Sequence, residues 1–406
     1  MSKVLFFFTS EYPFGNGETF IENEMPFLAN HFDKIVIISN NCDGKQTRQV
    51  PENVCIKRFP YELNKFDRLQ SMKGIFNPLF WQEISCIKKI YKKKISSLIL
   101  KTVLISLQKA SVFGRFFSKL ITEQSTKDDT IIAYSYWAND TAFALAQMRR
   151  RTPYIKMCCR AHRWDIYFEE NQSGYLPFRL VLLKNLDAIF VISEHGKTYI
   201  ESLLAEKFQT LKVSRLGVLK HNLSLPSDQE FTIGTISNII PVKNLFKLVD
   251  ALSNLDFNFT WFHIGDGIQR MELEKLAHEK IPAKYQFLGQ MSNTKVMSFL
   301  EKTPISLFIN ISLSEGIPVS IMEAFSCGIP VLATNVGGNF EIVDNSNGIL
   351  LSVDPDTNEI VEAISKFKNL SNSQKQKLKE NAYNTWDEKY NAEKNYQAFI
   401  KQILTF

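Results

Sequence analysis

Two glutamates, Glu315 and Glu323, stand eight residues apart in ISLSEGIPVSIMEAFSCGIPVLATNVGG, residues 311–338, with a Gly and a Pro between them. The apolar run ISLFINI (305–311) leads as a strand into the loop SLSEGIPVS. A helical pattern, IMEAFSC, follows, and Gly328 and Pro330 stop it before a second strand, PVLAT. Glu315 therefore falls in the loop after a strand, and Glu323 in the first two turns of the next helix. Gly316 permits close backbone approach, and Pro318 suits a first helical turn. Backbone N–H groups of Gly316, Ile317 and their neighbours, at the positive end of a helix dipole, would receive an anion or hydroxyls. The two carboxylates would accept hydrogen bonds from a polyol. Together they suit a polyhydroxylated, phosphorylated ligand. A second reading fits the same residue types: Glu315 on the surface, and Glu323 a favourable charge near a helix start.

Three other stretches carry groups of chemical interest. In SNIIPVKNLFKLVDAL (237–252), Lys243 sits where a strand ends and a helix begins; it reads as a diphosphate cation or as a solvated surface lysine. RAHRWDIY (160–167) follows the strand YIKMCC, which brings His162 and Asp165 to a strand's carboxyl end; a structural histidine beside a helix-capping aspartate is the alternative. In EYPFGNGETFIENE (11–24), Gly15 and Gly17 are spaced for a turn that exposes backbone N–H groups, with Glu18 or Thr19 as a helix cap, although glycine turns between strand and helix are ordinary. His195 and His263 read as structural.

These residues need a scaffold that ends strands at one edge. Short apolar runs alternate with helical patterns nearly throughout, the mark of βαβ units and parallel sheets. Strands are expected at 4–9, 34–39, 131–137, 154–159, 188–193 and 212–218, and again at 232–237, 258–265, 285–289, 305–311, 330–334 and 348–353. Between the sets, LKHNLSLPSDQE (219–230) is polar and aperiodic and reads as a linker. The expected organisation is a first domain at 1–218, a second at 231–384, and a helix at 385–406 that returns to the first. Two α/β halves imply a cleft between facing sheet edges, with ligands outside the carboxyl ends of strands.

The run SEGIPVSIMEAFSCGIPVLATNVGGNFEIV resembles the donor-site motif of the retaining GT-B glycosyltransferases of family 4, a Glu, seven residues and a second Glu. FHIGDG (262–267), YQFLGQM (285–291) and NGILL (347–351) extend the likeness in the same order over the second domain. The resemblance implies a GT-B fold of two Rossmann-like α/β domains and a nucleoside diphosphate sugar as donor. Glu315 would hold hydroxyls of the donor sugar together with the Gly316–Ile317–Pro318 turn, and Glu323 the ribose. The backbone from Phe287 through Leu288 to Gly289 would lie at the base, and Lys243 at the diphosphate. Five residues before that lysine the family usually has an Arg, where this chain has Asn238. The loop with Gly17 is similar to the Gly-rich loop near the donor phosphates, and its GETFIENE ending looks most like the branch that builds bacterial exopolysaccharide and capsule. His162 would contact the sugar near the reacting carbon, which makes His162, Glu315 and Lys243 the catalytic set, with Arg160 and Asp165 orienting it or binding the acceptor. No metal-binding Asp-x-Asp and no obligatory metal or other cofactor are expected, because such sites manage the leaving diphosphate with cations and helix ends. Retention implies front-face attack without a general base.

The whole-chain properties are those of a soluble globular protein: 406 residues, 45% hydrophobic and 22% charged, suffice for two domain cores and exclude disorder. Six cysteines without CxxC spacing read as reduced, mostly buried thiols. The first residues lack a signal peptide's pattern, and Lys101 breaks the longest apolar run, so a cytoplasmic protein without a membrane span is expected. The net charge of +6 is concentrated: residues 73–119 hold ten Lys or Arg against Glu83 alone. That stretch suits an amphipathic helix on anionic lipid at the inner face of the plasma membrane, each basic residue adding about 1 kcal/mol. Lysines snorkelling over a core fit it equally. Nucleic acid is not an expected partner; a saccharide, lipid-linked or free, is the expected acceptor. Two rivals remain, a nucleotide-sugar epimerase of the same architecture and a non-catalytic nucleotide-sugar-binding partner that the uncharged Asn238 would suit.

Overall fold

The computed structural model describes every residue except 1, 16, 41–43, 60–62 and 226–229, so Cys42 and part of the expected linker lie outside the described residues. The chain forms two compact units, Met1–Ser214 with Tyr396–Phe406, and Arg215–Asn395.

The first unit is a parallel sheet of seven strands: β1 (Lys3–Thr9), β2 (Lys34–Ser39), β3 (Val54–Arg58), β4 (Thr130–Ser135), β5 (Ile155–Ala161), β6 (Ala188–Val191) and β7 (Leu211–Val213). Their order is β3-β2-β1-β4-β5-β6-β7. VLFFFT in β1 is apolar without alternation because helices cover both faces of the strand. On one face Phe6 and Phe8 meet Phe117 and Phe113 of the helix Ser97–Gln124, with ring centroids 5.2 and 5.1 Å apart. On the other, Phe7 stacks on Tyr134, which meets Phe399 of the helix Ala392–Leu404. Cys158 and Cys159 point to opposite faces, as neighbours in a strand must. Every described cysteine is unpaired, and all but the half-buried Cys55 are buried.

The helix Ser97–Gln124 is, by length and apolar composition alone, sufficient to cross a membrane. Its packing accounts for that composition, because Ile99, Val103, Leu107, Ala110, Phe113, Phe117 and Leu120 form one buried stripe at helical spacing. Truncating Phe117 to Ala would cost about 3–5 kcal/mol.

The second unit has the strands β8 (Phe231–Ile236), β9 (Phe259–Ile264), β10 (Tyr285–Gly289), β11 (Leu307–Asn310), β12 (Val331–Thr334) and β13 (Gly348–Leu351), all parallel, in the order β10-β9-β8-β11-β12-β13. Both sheets therefore reverse direction once, between β1 and β4 and between β8 and β11. These are the switch points of Rossmann-like sheets, where the loops leaving adjacent strands part to open a crevice.

Four expectations need correction. The second unit runs to Asn395 instead of 384, so of the expected returning segment 385–406 only Tyr396–Phe406 belongs to the first unit. β3 is an additional strand; as a half-exposed edge ending in Lys57 and Arg58 it lacks the buried run that marks its neighbours. β7 ends at Val213, and the unit boundary falls at Ser214 instead of 218, since Val218 already bridges Asn391 within the second unit. Residues 219–225 are not a free linker: Ser224 N–H donates to the Cys327 carbonyl at 2.9 Å and Asn222 N–H to Glu301 at 2.9 Å, which pins them to the second unit.

Candidate functional site

In the second unit Lys243 ends a short 3-10 turn, Pro241–Lys243, directly after β8, and Glu315 lies in the loop after β11. They thus flank the switch point, and they meet: Nζ of Lys243 is 2.5 Å from Oε1 of Glu315. The same oxygen accepts from Ser312 Oγ at 2.7 Å and from Asn310 Nδ2 at 3.4 Å. Ser312 is itself held, its carbonyl accepting from Thr334 Oγ1 at 2.7 Å. Leu313 N–H donates to the Val242 carbonyl at 2.8 Å and joins the two loops through their backbones. The Glu315 carboxylate is buried, yet Lys243 keeps about a fifth of its side chain exposed, so a ligand can reach the cation.

Gly337 explains the two glycines after β12. Its φ is +54°, and a Cβ there would stand 1.8 Å from the Glu315 carbonyl oxygen. Gly338 donates its N–H to the Gly316 carbonyl at 2.8 Å. The turn 315–317 is therefore clamped from both sides. Pro318 occupies the cap position before the helix Val319–Ser326, one residue outside the first turn, and Ile317 is buried.

Glu323 is the fifth residue of that helix and only 6% exposed. Burial pushes its carboxyl up to about 7, against the pull of a hydrogen bond from Asn293 Nδ2 to Oε1 at 2.6 Å. Its hydrogen-bond partner is thus Asn293, which opens the helix Asn293–Lys302, and neither Lys243 nor Glu315. Phe287 and Leu288 lie half-buried on the edge strand β10, with the Arg270 guanidinium over the Phe287 ring. Gly265, in FHIGDG, has φ +139° and no room for a Cβ beside the Ser237 carbonyl, which draws the loops after β8 and β9 together. Asn238, on the first of these, is exposed. After β13 the chain has one Asp-x-Asp spacing, Asp354 and Asp356, whose carboxylates are both engaged within the protein. Asp354 pairs with Lys247 at 2.6 Å, and Asp356 caps the helix Thr357–Lys368.

In the first unit His162 follows β5. Its ring is 6% exposed, lies 4.7 Å from the Tyr136 ring and 4.5 Å from that of Trp137, and neither ring nitrogen has a hydrogen-bond partner. Asp165 sets its backbone, accepting from His162 N–H at 2.7 Å and from Ala138 N–H at 2.9 Å. Arg160 cannot meet an acceptor. It is wholly buried, donates to Tyr134 Oη, the Ser214 carbonyl and Glu24, and lies over the Phe399 ring.

The glycine loop after β1 also differs from expectation. The Gly17 N–H is not free for a phosphate, since it donates to Glu11 Oε2 at 3.0 Å. Glu18 caps no helix; with φ +56° it turns its carboxylate back to accept from the N–H groups of Ser10, Glu11 and Tyr12 and from Trp137 Nε1 at 2.5 Å. It thereby fastens the loops after β1 and β4 across their switch point. His263 donates or accepts at Thr235 Oγ1, and burial lowers its pKa to about 4, so it is a neutral core residue.

Sequence reading missed Asn293, Asn310, Ser312 and the purpose of Gly337. Asn293 acts on a residue thirty positions away and Gly337 through backbone geometry, while Asn310 and Ser312 sit within five residues of Glu315 in a loop whose fold residue type alone does not expose.

Residues 220–385 match the family model of glycosyl transferases group 1. An uncharacterized glycosyltransferase of Methanocaldococcus jannaschii is 31% identical over 208 residues, 51% of this chain and 56% of that protein. The putative teichuronic acid biosynthesis glycosyltransferase TuaC of Bacillus subtilis is 26% identical over 46% of this chain and 45% of its own. The chain thus spans about half the length of the curated relatives it matches. Among solved structures, Anabaena HepE in complex with UDP superposes over 100% of both chains at TM-score 0.66 and 15% identity. The fold is of the GT-B class, two Rossmann-like α/β units with parallel sheets.

Proposed function

We propose that this chain is a retaining glycosyltransferase, of the family 4 type, that moves a sugar from a nucleoside diphosphate donor to a hydroxyl of a saccharide, lipid-linked or free, in surface polysaccharide synthesis at the cytoplasmic face. The observation that carries the reading is the Lys243–Glu315 pair at the switch point of the second sheet, 2.5 Å apart and held by Ser312. Lys243 supplies the positive charge for the diphosphate, and Glu315 accepts hydroxyls of the donor sugar. Glu323, steadied by Asn293, accepts those of the ribose, while the β10 edge at Phe287 and Leu288 faces the base. The exposed Asn238 offers hydrogen bonds where a second cation is absent.

In the reaction the bond from the anomeric carbon to the diphosphate oxygen breaks, and a bond to the acceptor oxygen forms on the same face. The acceptor's proton passes to the leaving oxygen. Lys243 stabilises charge that grows on the diphosphate, which is worth more in the transition state than in the ground state. His162, whose ring nitrogens make no hydrogen bond and whose Nδ1 lies 3.9 Å from Asp165 Oδ2, is the first unit's candidate for a sugar hydroxyl. No metal is needed for these steps. UDP-sugars are the first donors to try, because HepE binds UDP.

Asn238 favours a second reading, a protein that binds nucleotide-sugar without transferring it. Donor turnover with and without acceptor separates the possibilities. Diphosphate release that requires an acceptor, with the product's anomeric configuration kept, supports transfer; conversion of the donor sugar without acceptor indicates an epimerase, and binding without either reaction a non-catalytic partner.

A further inference from the structure

Of eighteen large apolar side chains exposed among the described residues, eight lie between Phe66 and Leu98, a small fraction of the chain. Phe76 is 87% exposed, Leu69 67%, Phe66 66%, and Met72 and Trp81 59% each. They are what remains after the segment has made its own core. Ser71, Phe80, Cys86 and Ile87 are buried, and a Cβ on Gly74 would stand 3.0 Å from Leu104 of the helix Ser97–Gln124, so this side faces the protein and the exposed set lies outside the contact. Trp81 donates its indole N–H to the Ile75 carbonyl at 2.8 Å, which leaves the ring exposed with its polar edge already satisfied.

The charge around this patch has one sign. From Lys65 to Lys101 there are nine Lys or Arg and two acidic residues. Glu83 is buried, accepting from Tyr175 Oη and Phe178 N–H, and Asp67 is used in a capping box with Asn64. Lys73, Lys88, Lys89, Lys92, Lys94 and Lys101 are exposed. Exposed aromatic and aliphatic residues set among lysines match an anionic bilayer, whose headgroup phosphates take the charge while the boundary layer takes the rings. A second copy of the chain would bring like charge against like.

We propose that residues 65–101 dock this protein on an anionic lipid bilayer, with Phe66, Leu69, Met72, Phe76 and Trp81 entering the headgroup boundary and the lysines facing lipid phosphates. This inference stands apart from the transfer reaction, although it would bring a lipid-linked acceptor to the enzyme.

The test is sedimentation of the full chain with vesicles of phosphatidylcholine alone and of phosphatidylcholine mixed with phosphatidylglycerol. Binding is expected to the mixed vesicles only, to weaken with added salt, and to be accompanied by a blue shift of tryptophan emission that Trp81→Phe removes. The quadruple variant Lys88→Glu, Lys89→Glu, Lys92→Glu, Lys94→Glu should bind more than a hundredfold more weakly, at about fivefold per basic residue. Phe76→Ser with Trp81→Ser should bind at least tenfold more weakly. Melting temperature and nucleotide-induced stabilisation, measured on the same preparations, separate loss of docking from loss of fold or donor site. No sedimentation with the mixed vesicles, equal binding to phosphatidylcholine alone, or a concentration-dependent dimer abolished by Phe76→Ser would each overturn the proposal.

Discussion

Lys243 and Glu315, seventy-two positions apart in the chain, share a 2.5 Å ion pair because β8 and β11 are neighbours in the sheet and their following loops both open at its switch point. The carboxylate is nearly closed off from solvent and the ammonium is not. The pair therefore presents one accessible cation on a rigid anionic base.

Removing either partner should harm turnover more than folding. Lys243→Ala and Glu315→Gln are each expected to lower kcat about a hundredfold or more, as for lost transition-state charge stabilisation. The Gln variant keeps an acceptor for Ser312, so its stability loss should stay below about 2 kcal/mol. Steady-state kinetics beside urea denaturation checks this.

Glu323 should make both stability and binding depend on pH. Its folded pKa, about 7, exceeds the unfolded value, so between roughly pH 4.5 and 7 the folded state holds a proton that the unfolded state has lost. Stability contributed by the protonated form is present in full at low pH and is lost as pH rises through that window, by up to about 3 kcal/mol. Glu323→Gln should remove this slope, melting higher than wild type at pH 8 and alike at pH 4. Ribose hydroxyls favour the ionised carboxylate, so wild-type affinity for a nucleotide-sugar should tighten from pH 6 to 8 while the variant's stays flat. Thermal melts and titration calorimetry across that range read both effects.

His162→Phe should separate function from stability in the opposite way. The ring lies among Tyr136 and Trp137 with neither nitrogen hydrogen-bonded and Nδ1 3.9 Å from Asp165 Oδ2, so Phe is expected to melt close to wild type. Turnover should fall at least tenfold. Equal loss of both would assign His162 to the core.

Arg160→Met gives the contrast. It leaves Glu24, buried beside it, without its cation, and a loss of about 3–5 kcal/mol is expected. Activity per folded molecule should be unchanged, measured as active fraction against folded fraction.

Much of this was legible in the chain. Buried parallel strands announce themselves as apolar runs, so twelve of thirteen strands follow from VLFFFT, KIVIIS, GILLSV and their like, while the charged edge strand VCIKR does not. Glu315, Glu323 and Lys243 stand at loop and helix starts that Gly and Pro mark. Their partners were not legible: Asn293 reaches Glu323 from thirty residues away, and Glu18 acts as a brace because a left-handed backbone turns its carboxylate back. Arg160 looked available from its place at a strand end, yet Glu24, Tyr134 and the returning Phe399 enclose it. Such enclosure depends on elements from opposite ends of the chain.

The most direct test of the central claim is a thermal-shift series with UDP, GDP, ADP and their sugars against the wild-type chain and Glu323→Ala. A ligand that binds only the folded state stabilises it by about 2.7 kcal/mol at a hundredfold excess over Kd. The account predicts stabilisation by one nucleotide family, retained without added metal and lost in Glu323→Ala. Melting curves unmoved by every nucleotide at millimolar concentration would contradict it.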